Sequence, residues 1–517
     1  MGDVGYEICI DWSGDGDFVG VGEDVTARVL DKGTPITTRY GRDEARALAP
    51  LTPGRAQGEL DNTSRDYMPD NTSSPLTGLV FPGREVRVRA THNAVTYGIF
   101  RGHLDDFEIL PDFGDRSVRF TCQDPLARLR GVQVTTDLYH GIRTGAAIGY
   151  LLDAIGWPPD LRDLDVGGTT LPWWWVGGDD ALSALQKILD CEGPGSIATV
   201  DIDGRIVFRD RHHRLLRAAS TTVQATFRSG DLGSEPAMSP PFVYDHGLRD
   251  IINAVEFSIP VRAPSGELAQ VWSMHTQQAI TDGETVSLSA QASDPFFGAV
   301  TPVVGVDFTV LSGVVTTALT RTAGSSTTVL VTATGGPAVI SGMSVRAYPI
   351  VTQTVAQVQA VNSASVDRYG RRSWQAEREP TLASLPDAIA IADIILAQRA
   401  ERLPTITVTL NGLTDERLVE QLTRDLSDRV RIIETETSVD ADFFLEQIQH
   451  VISDLHQRTT FSFEKIPTPA ANPFTFDTTG QGFNDGFFGD TGRDNAATVF
   501  VFDDPTRGQF DVGLLGN

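Results

Sequence analysis

The sequence predicts an α+β, mainly β protein: two similar β-barrel domains, an α+β domain and an inserted all-β module between them, and a Phe/Gly-rich C-terminal arm. Three observations carry this. Short apolar bursts separated by Gly-, Pro- and Asn-rich turns dominate both ends of the chain. Helical spacing of apolar residues is confined to a few segments between them. A set of strand-like triplets also occurs twice. At 517 residues the chain is long enough for about three to four domains, and 40% apolar residues suffice for packed cores.

In the first barrel domain, residues 1–130, strands fall at Ile8 to Trp12, Val86 to Ala90 and Val118 to Thr121, with turns such as Thr52-Pro-Gly and Phe81-Pro-Gly between them. Residues 131–240 form the small α+β domain. There, Ile148, Leu151, Leu152 and Ile155 have helical spacing and stop at Gly156-Trp-Pro-Pro. A second helix opens at Asp179-Asp180 and runs through Leu182, Leu185, Ile188 and Leu189 to Gly193-Pro-Gly. Ala198 to Ile202 and Arg205 to Arg209 flank Asp203-Gly204, a hairpin signal. Residues 264–350, rich in Thr, Val, Ser and Gly, read as the inserted β module. Segments 241–263 and 351–466 make the second barrel domain, with a helix at 385–402 that has Pro386 near its start and Pro404 past its end.

The repeat supports two related barrels. Val86-Arg87-Val88 recurs as Val430-Arg431-Ile432; the same separation pairs Ile99-Phe100 with Phe443-Phe444, Leu104 with Ile448 and Phe107 with Val451. One residue shorter, Val118 and Phe120 meet Phe461 and Phe463. Beyond the second barrel, residues 467–517 are too poor in aliphatic side chains to build a core. They nevertheless hold Phe474, Phe476, Phe483, Phe487, Phe488, Phe500, Phe502 and Phe510, out of 25 phenylalanines in all. Such a segment reads as an extended arm that docks on a partner, with Ala497-Thr-Val-Phe-Val-Phe as its strand-like piece.

Composition excludes several functions. With 68 acidic against 42 basic residues and a net charge of −26, nucleic-acid binding is not the main task. Only Lys32, Lys187 and Lys465 are lysines, a bias that fits a GC-rich coding genome. Cys9, Cys122 and Cys191 are too few and scattered for a disulfide framework or a zinc site. Met1-Gly-Asp-Val shows no signal pattern, and no apolar run reaches the roughly 20 residues that span a bilayer. The expectation is a soluble protein made in a cytoplasm.

The search for chemistry finds no catalytic, cofactor-binding or metal residues to commit to, and the expectation is no enzyme. His-Glu-x-x-His, Gly-x-Ser-x-Gly and P-loop patterns do not occur. His212-His213 read as surface structure; His450 and His456 lack companions at ligand spacing; Cys191 reads as structural. Asp105-Asp106 and Asp503-Asp504 are unremarked acid pairs in an acidic chain. Asp11-Trp-Ser-Gly-Asp-Gly-Asp-Phe is either a polar turn or, since acids and a hydroxyl alternate around Gly16, a loop that holds a hard cation. Position twelve of such a loop is Gly22, with Glu23 one residue late. Trp173-Trp-Trp is either packing or a sugar-stacking platform.

Several segments together resemble the minor tail proteins of long-tailed phages that infect high-GC bacteria. These are Asp11-Trp-Ser-Gly-Asp-Gly-Asp-Phe with Asp24-Val-Thr, Tyr40-Gly-Arg-Asp, Gly58-Glu-Leu-Asp-Asn, Asn71-Thr-Ser-Ser-Pro-Leu-Thr-Gly, Pro82-Gly-Arg-Glu-Val-Arg, Asp367-Arg-Tyr-Gly-Arg-Arg, Leu426-Ser-Asp-Arg-Val and Phe502-Asp-Asp-Pro-Thr-Arg-Gly. The resemblance covers most of the chain and implies a baseplate-hub, or tail-associated, structural virion protein. In that family reading a homotrimer at the tail tip closes the tail tube, adapts a six-fold tube to a three-fold tip and passes DNA on ejection. Implied partners are other copies of itself, distal tail and tube proteins, the tape measure protein, a tip fibre or spike, the host surface indirectly, and DNA only in transit. The alternative is a receptor- or glycan-binding tail protein. No zinc or Cys/His signature of a wall-cleaving domain accompanies the resemblance.

Overall fold

The computed structural model describes residues 4–30, 34–42, 52–112, 115–230, 238–248, 251–376, 384–453 and 456–466. The arm predicted at 467–517, including its Phe residues and Asp503-Asp504, lies outside the described residues. The chain is mainly β, with several sheets, and among the described residues none closes into a barrel. No helix among them is long and apolar enough to cross a membrane.

The largest sheet has twelve strands, numbered here in chain order: β1 (Val4–Ile10), β2 (Ile36–Gly41), β3 (Arg55–Asp61), β4 (Glu85–His92), β5 (Val95–Asp112), β6 (Asp115–Gln123), β7 (Val223–Arg228), β8 (Ser239–Asp245), β9 (Thr405–Asn411), β10 (Arg429–Glu434), β11 (Val439–Ser453) and β12 (His456–Lys465). The first six lie side by side as β1-β4-β5-β6-β3-β2, and the last six as β7-β10-β11-β12-β9-β8. The same order occurs twice, so the repeat read from sequence is a repeat of topology. The two lobes differ at one end: β1 runs antiparallel to β4, whereas β7 runs parallel to β10.

Where barrels were expected, each lobe is an open array, and the two are joined into one sheet by pairing of β2 with β11. The physical reason is that β2, which pairs with β3 on one side, spends its other edge on the opposite lobe rather than on its own. Each lobe has its own core. Trp12, Ile10, Leu60, Val86, Val118 and Phe120 fill the first; Phe227, Val408, Val430, Phe443, Phe461 and Phe463 fill the second. Alternation on β4 (buried Val86, Val88 and Ala90 between more exposed arginines) gives one face to the core, as a half-buried strand must.

The register of the repeat differs from the sequence alignment. Gly83 N–H bonds to Leu104 C=O at 2.7 Å and Leu104 N–H to Arg84 C=O at 2.8 Å. In the second lobe Ser427 N–H bonds to Leu445 C=O at 2.7 Å and Leu445 N–H to Asp428 C=O at 3.0 Å. Gly83 and Ser427 both take positive φ, 83° and 68°. A bulge follows in each lobe, between Leu104 and Asp106 and between Leu445 and Gln447. Leu104 therefore corresponds to Leu445, not Ile448, and Phe120 to Phe461. The β4–β5 hairpin is longer than its counterpart, which apolar spacing alone cannot show.

Along the chain, the α+β domain falls between the strands of the two lobes. Helix α1 (Thr144–Ala154) buries Ala147, Ile148, Leu151 and Leu152. Helix α2 (Ala181–Glu192) is capped by Asp180, whose carboxylate accepts Ser183 N–H at 3.0 Å. The hairpin Ile197–Val200 with Ile206–Arg209 forms as predicted, over a wider turn in which Asp201 N–H bonds Arg205 C=O. Segment 264–350 is all β. Its first and last strands, Ala254–Pro264 and Ala338–Val361, pair with each other in a six-stranded sheet, so residues 254–263 and 351–361 lie outside the twelve-stranded one. Helix α3 (Leu385–Arg399) starts at Ser384 and packs on that sheet through Ala388, Ile391, Ala392 and Ile395. Helix α4 (Asp415–Thr423), capped by Thr414, was not predicted: it is rich in charge and buries only Leu418 and Gln421.

Candidate functional site

The junction of the two lobes concentrates the buried charge. β2 runs antiparallel to β11 with Ile36 opposite Ile452, Thr38 opposite His450 and Tyr40 opposite Ile448. Arg42 N–H donates to Glu446 C=O at 2.9 Å, so the even-numbered residues of β2 turn their backbone groups toward β11. Glu446 is the bulge residue, and its carboxylate is fully covered. It meets Arg42 at 3.1 Å and Arg214 at 2.7 Å. Arg42 also donates to Ser196 C=O, and Gln447 Nε2 donates to Arg42 C=O at 2.6 Å. Arg214 lies 4.5 Å over the Phe444 ring. Burial pushes the Arg42 guanidinium down to about 10, against the pull of Glu446, so it keeps its charge at neutral pH. One carboxylate thus ties the first lobe, the second lobe and, through Arg214, the later part of the 131–240 segment. A second buried pair, Arg399 with Glu464 at 2.8 Å, fastens α3 to β12.

His213, expected at the surface, is buried against this junction: Nδ1 lies 2.6 Å from Asp210 C=O and Nε2 2.8 Å from Ser427 Oγ. Its neighbour His212 stays partly exposed, as adjacent residues that point apart will be. His450 is also buried, with Nδ1 2.9 Å from Thr459 Oγ1. Cys9, Cys122 and Cys191 are all buried. Desolvation raises the Cys9 thiol to about 12, so it is a packing group.

Burial sets opposed pH responses. It lowers His450 to about 4 and raises Asp124, which caps residues 125–129, to about 7. His450 takes its proton more readily when unfolded. Its contribution is therefore lost as pH falls from the ordinary 6.5 through about 4, a loss of at most roughly 3 kcal/mol. Asp124 holds its proton more tightly when folded, so its contribution is lost as pH rises from the ordinary carboxylate value through about 7. In urea unfolding between pH 4 and 8, His450→Gln should lose less stability on the acid side than the parent. Asp124→Asn should lose less on the alkaline side. Parallel pH profiles for parent and variants would show that neither group carries the dependence.

The structure brings Asp11, Asp15 and Glu23 together, with ligand oxygens within 4.8 Å of one another. The two buried members already serve the loop. Asp11 accepts Gly14 N–H at 2.6 Å and Gly16 N–H at 2.8 Å, and Glu23 accepts Ser13 N–H at 3.0 Å and Gly20 N–H at 2.8 Å. Trp12 beneath them donates to Gly22 C=O at 3.1 Å. This is a turn that braces itself.

The tryptophan run forms no single platform. Trp174 is buried in the α+β core, and Trp175 lies under Arg262 at 4.6 Å. Trp173 stacks on Phe297 at 6.3 Å, so the run packs the α+β domain against the inserted module. A cavity of about 280 Å³ beside the 197–209 hairpin is lined by Asp201, Asp203, Arg205, Asp163 and Arg209, which pair among themselves. Asp105, the counterpart of Glu446, is exposed, and so is Asp106 beside it on β5. His456 is exposed at the start of β12.

The fold and junction define a class: a duplicated two-lobed β protein whose lobes meet strand edge to strand edge. No family model and no curated protein matches the chain. Among solved structures it is similar to the tail protein from Neisseria meningitidis MC58, at 13% identity and a TM-score of 0.48 over 89% of this chain and 97% of that one. It is also similar to the 43 kDa tail protein of prophage MuSo2 from Shewanella oneidensis, at 11% identity and 0.46 over 89% and 98%. A third is the prophage tail protein gp18 from Listeria monocytogenes EGD-e, at 8% identity and 0.42 over 90% and 95%. The first is described as a tail protein and the other two as prophage tail proteins.

Proposed function

We propose that the chain is a structural component of a phage tail tip, a baseplate hub that assembles with copies of itself into a ring of β lobes around the tail channel. The observation that carries this reading is the doubled six-strand order, joined within one chain by edge pairing of β2 with β11. A unit that links lobe to lobe by one repeated contact can extend the contact to further copies and close on itself. Three copies would supply six lobes, matching the three-fold tip implied by the motif resemblance. Such a ring would close the tube before attachment and pass DNA after it. The role asks for no enzymatic chemistry; the buried charges are spent on joining domains. Native mass measurement of the full chain should give three subunits per particle, and antibody to the protein should label the tail tip in electron micrographs. Labelling along the tube or on the capsid would overturn the hub role.

A second reading, a receptor- or glycan-binding tail protein, has its own support in the inserted module, where Val303, Val304, Val306, Leu311 and Val314 are exposed together in one module. It predicts that the full chain binds host cells directly.

A further inference from the structure

We infer that the outer edge of β8 in one copy pairs antiparallel with residues 106–111 of β5 in a second copy, with Tyr244 opposite Ile109. The inference rests on the reading of the chain as a ring-forming tail component, and it names the surface and the register.

The template is inside the chain. On β11, one edge carries β12; the other carries β10 as far as Phe444 and then β2 at Gln447–Ile452. On β5, the equivalent of β11, one edge carries β6 and the other carries β4 as far as His103. Past the bonds of Leu104 to Gly83 and Arg84, the second edge of β5 has no strand on it among the described residues. That is the place β2 fills on the other lobe.

The strand that fits is the repeat equivalent of β2, which is β8. Thr38 pairs with Ala56, which pairs with Cys122; Tyr244 pairs with Ile406, which pairs with Phe463. Cys122 and Phe463 flank the matching bulges, so Tyr244 stands where Thr38 stands, and Gly247 where Gly41 stands. Among the described residues β8 ends the sheet, and Val243, Tyr244 and Leu248 beside its outer edge are exposed. Carrying the β2–β11 register across puts Phe242, Tyr244 and His246 opposite Pro111, Ile109 and Phe107. Val243 then falls opposite Leu110, and Asp245 opposite Glu108, beside Arg119, which lies 3.3 Å from Glu108.

The chemistry suits a strand-on-strand contact. Phe107 and Ile109 turn into the first lobe's core and are only partly covered, so an aromatic row from β8 would complete that face. The Phe107 N–H bonds to its own Asp106 carboxylate at 2.8 Å, a local stand-in for the missing strand. An open edge of this length invites pairing, and two complementary open edges on one chain make a head-to-tail contact that generates a ring.

Val243 and Leu110 would form a non-hydrogen-bonded pair, where Cα atoms approach to about 4.5 Å, within disulfide range. The three native cysteines are buried and give little background. The full chain carrying Val243→Cys and Leu110→Cys, oxidised at high protein concentration, should give interchain-linked species that stop at the ring size. A control with Val243→Cys and Glu108→Cys, two residues out of register, should link at least tenfold less. Equal linking by both pairs, linking within single chains, or no linking overturns the inference. Independently, Tyr244→Pro removes an N–H that faces the outer edge and leaves the β9 side intact. It should convert oligomer to single chains with an unchanged melting temperature; an unchanged native mass overturns the inference. Persistence of the oligomer without linking, when cutting after Ile466 abolishes it, would instead assign the contact to residues 467–517. Tip labelling reads the tail assignment separately, so that assignment can stand while this contact fails.

Discussion

Replacing Glu446 with glutamine should destabilise the chain by about 3–5 kcal/mol, because it strands one buried and one largely covered guanidinium that now share one carboxylate. Glu446 is fully covered, with Arg214 at 2.7 Å and Arg42 at 3.1 Å. The Arg42 side chain is itself only 5% exposed, so water cannot take over the lost partner. Both cations would then face each other across a neutral amide, in a site where His213 is held neutral by burial, down to about 3. The damage falls on the seam between lobes, so the variant should also unfold less cooperatively. Glu401→Gln is the control: Glu401 pairs with Arg368 at 3.2 Å, but both side chains are more than 60% exposed. An exposed pair contributes little, because water screens it and can take over either partner. Urea midpoints that shift equally for the two variants would show that the junction is wet and that its charges do not hold the lobes together.

The repeat was legible in the sequence because strand cores recur as apolar triplets, and Val86-Arg-Val against Val430-Arg-Ile aligns the starts of β4 and β10 correctly. What followed was not legible from apolar spacing. Strand alternation repeats every two residues and the bulge at Glu446 shifts its phase by one, so a three-residue slip across the bulge still matches apolar to apolar, and Leu104 met Ile448 instead of Leu445. The signal that fixes the register is polar: Leu104-Asp105 and Leu445-Glu446 put an acid at the same bulge in both lobes. The two acids then part ways. Asp105 is exposed on an edge without a strand partner among the described residues, while Glu446 is covered where β2 pairs. Composition gave the inserted module its strands, and caps and apolar spacing placed α1, α2 and α3. Helix α4 went unread because its acids, favourable near a helix N-terminus, look like loop residues in a chain so rich in acids. Closure of each lobe was over-read for a further reason: many short strands predict a sheet, but which edge meets which is decided by contacts more than 400 residues apart, such as Tyr40 opposite Ile448.

Truncating Trp12 to alanine should cost about 3–5 kcal/mol, the usual range for a fully buried large aromatic. The indole is completely covered, packs against Tyr67 and Phe107 with ring centroids 5.8 Å away in each case, and donates to Gly22 C=O. It therefore ties three things at once: the 62–80 connection through Tyr67, the part of β5 past Leu104 through Phe107, and the Asp11–Glu23 loop through its own N–H. Trp12→Phe restores most of the apolar bulk and loses the hydrogen bond, so it should recover more than half of the stability. The same variant separates the two readings of the loop. If Asp11, Asp15 and Glu23 depended on a bound cation for their arrangement, millimolar calcium would raise the melting temperature of Trp12→Ala by several degrees. If the loop is held by its own N–H groups and the indole, as the bonds to Gly14, Gly16, Ser13 and Gly20 indicate, calcium should leave both parent and variant unchanged. Because Phe107 loses one of its two ring partners and keeps only Tyr67, Trp12→Ala should also weaken self-association more than a variant of equal instability in the second lobe, such as Phe461→Ala. Equal loss of association in the two would mean that the β5 edge takes no special part in assembly.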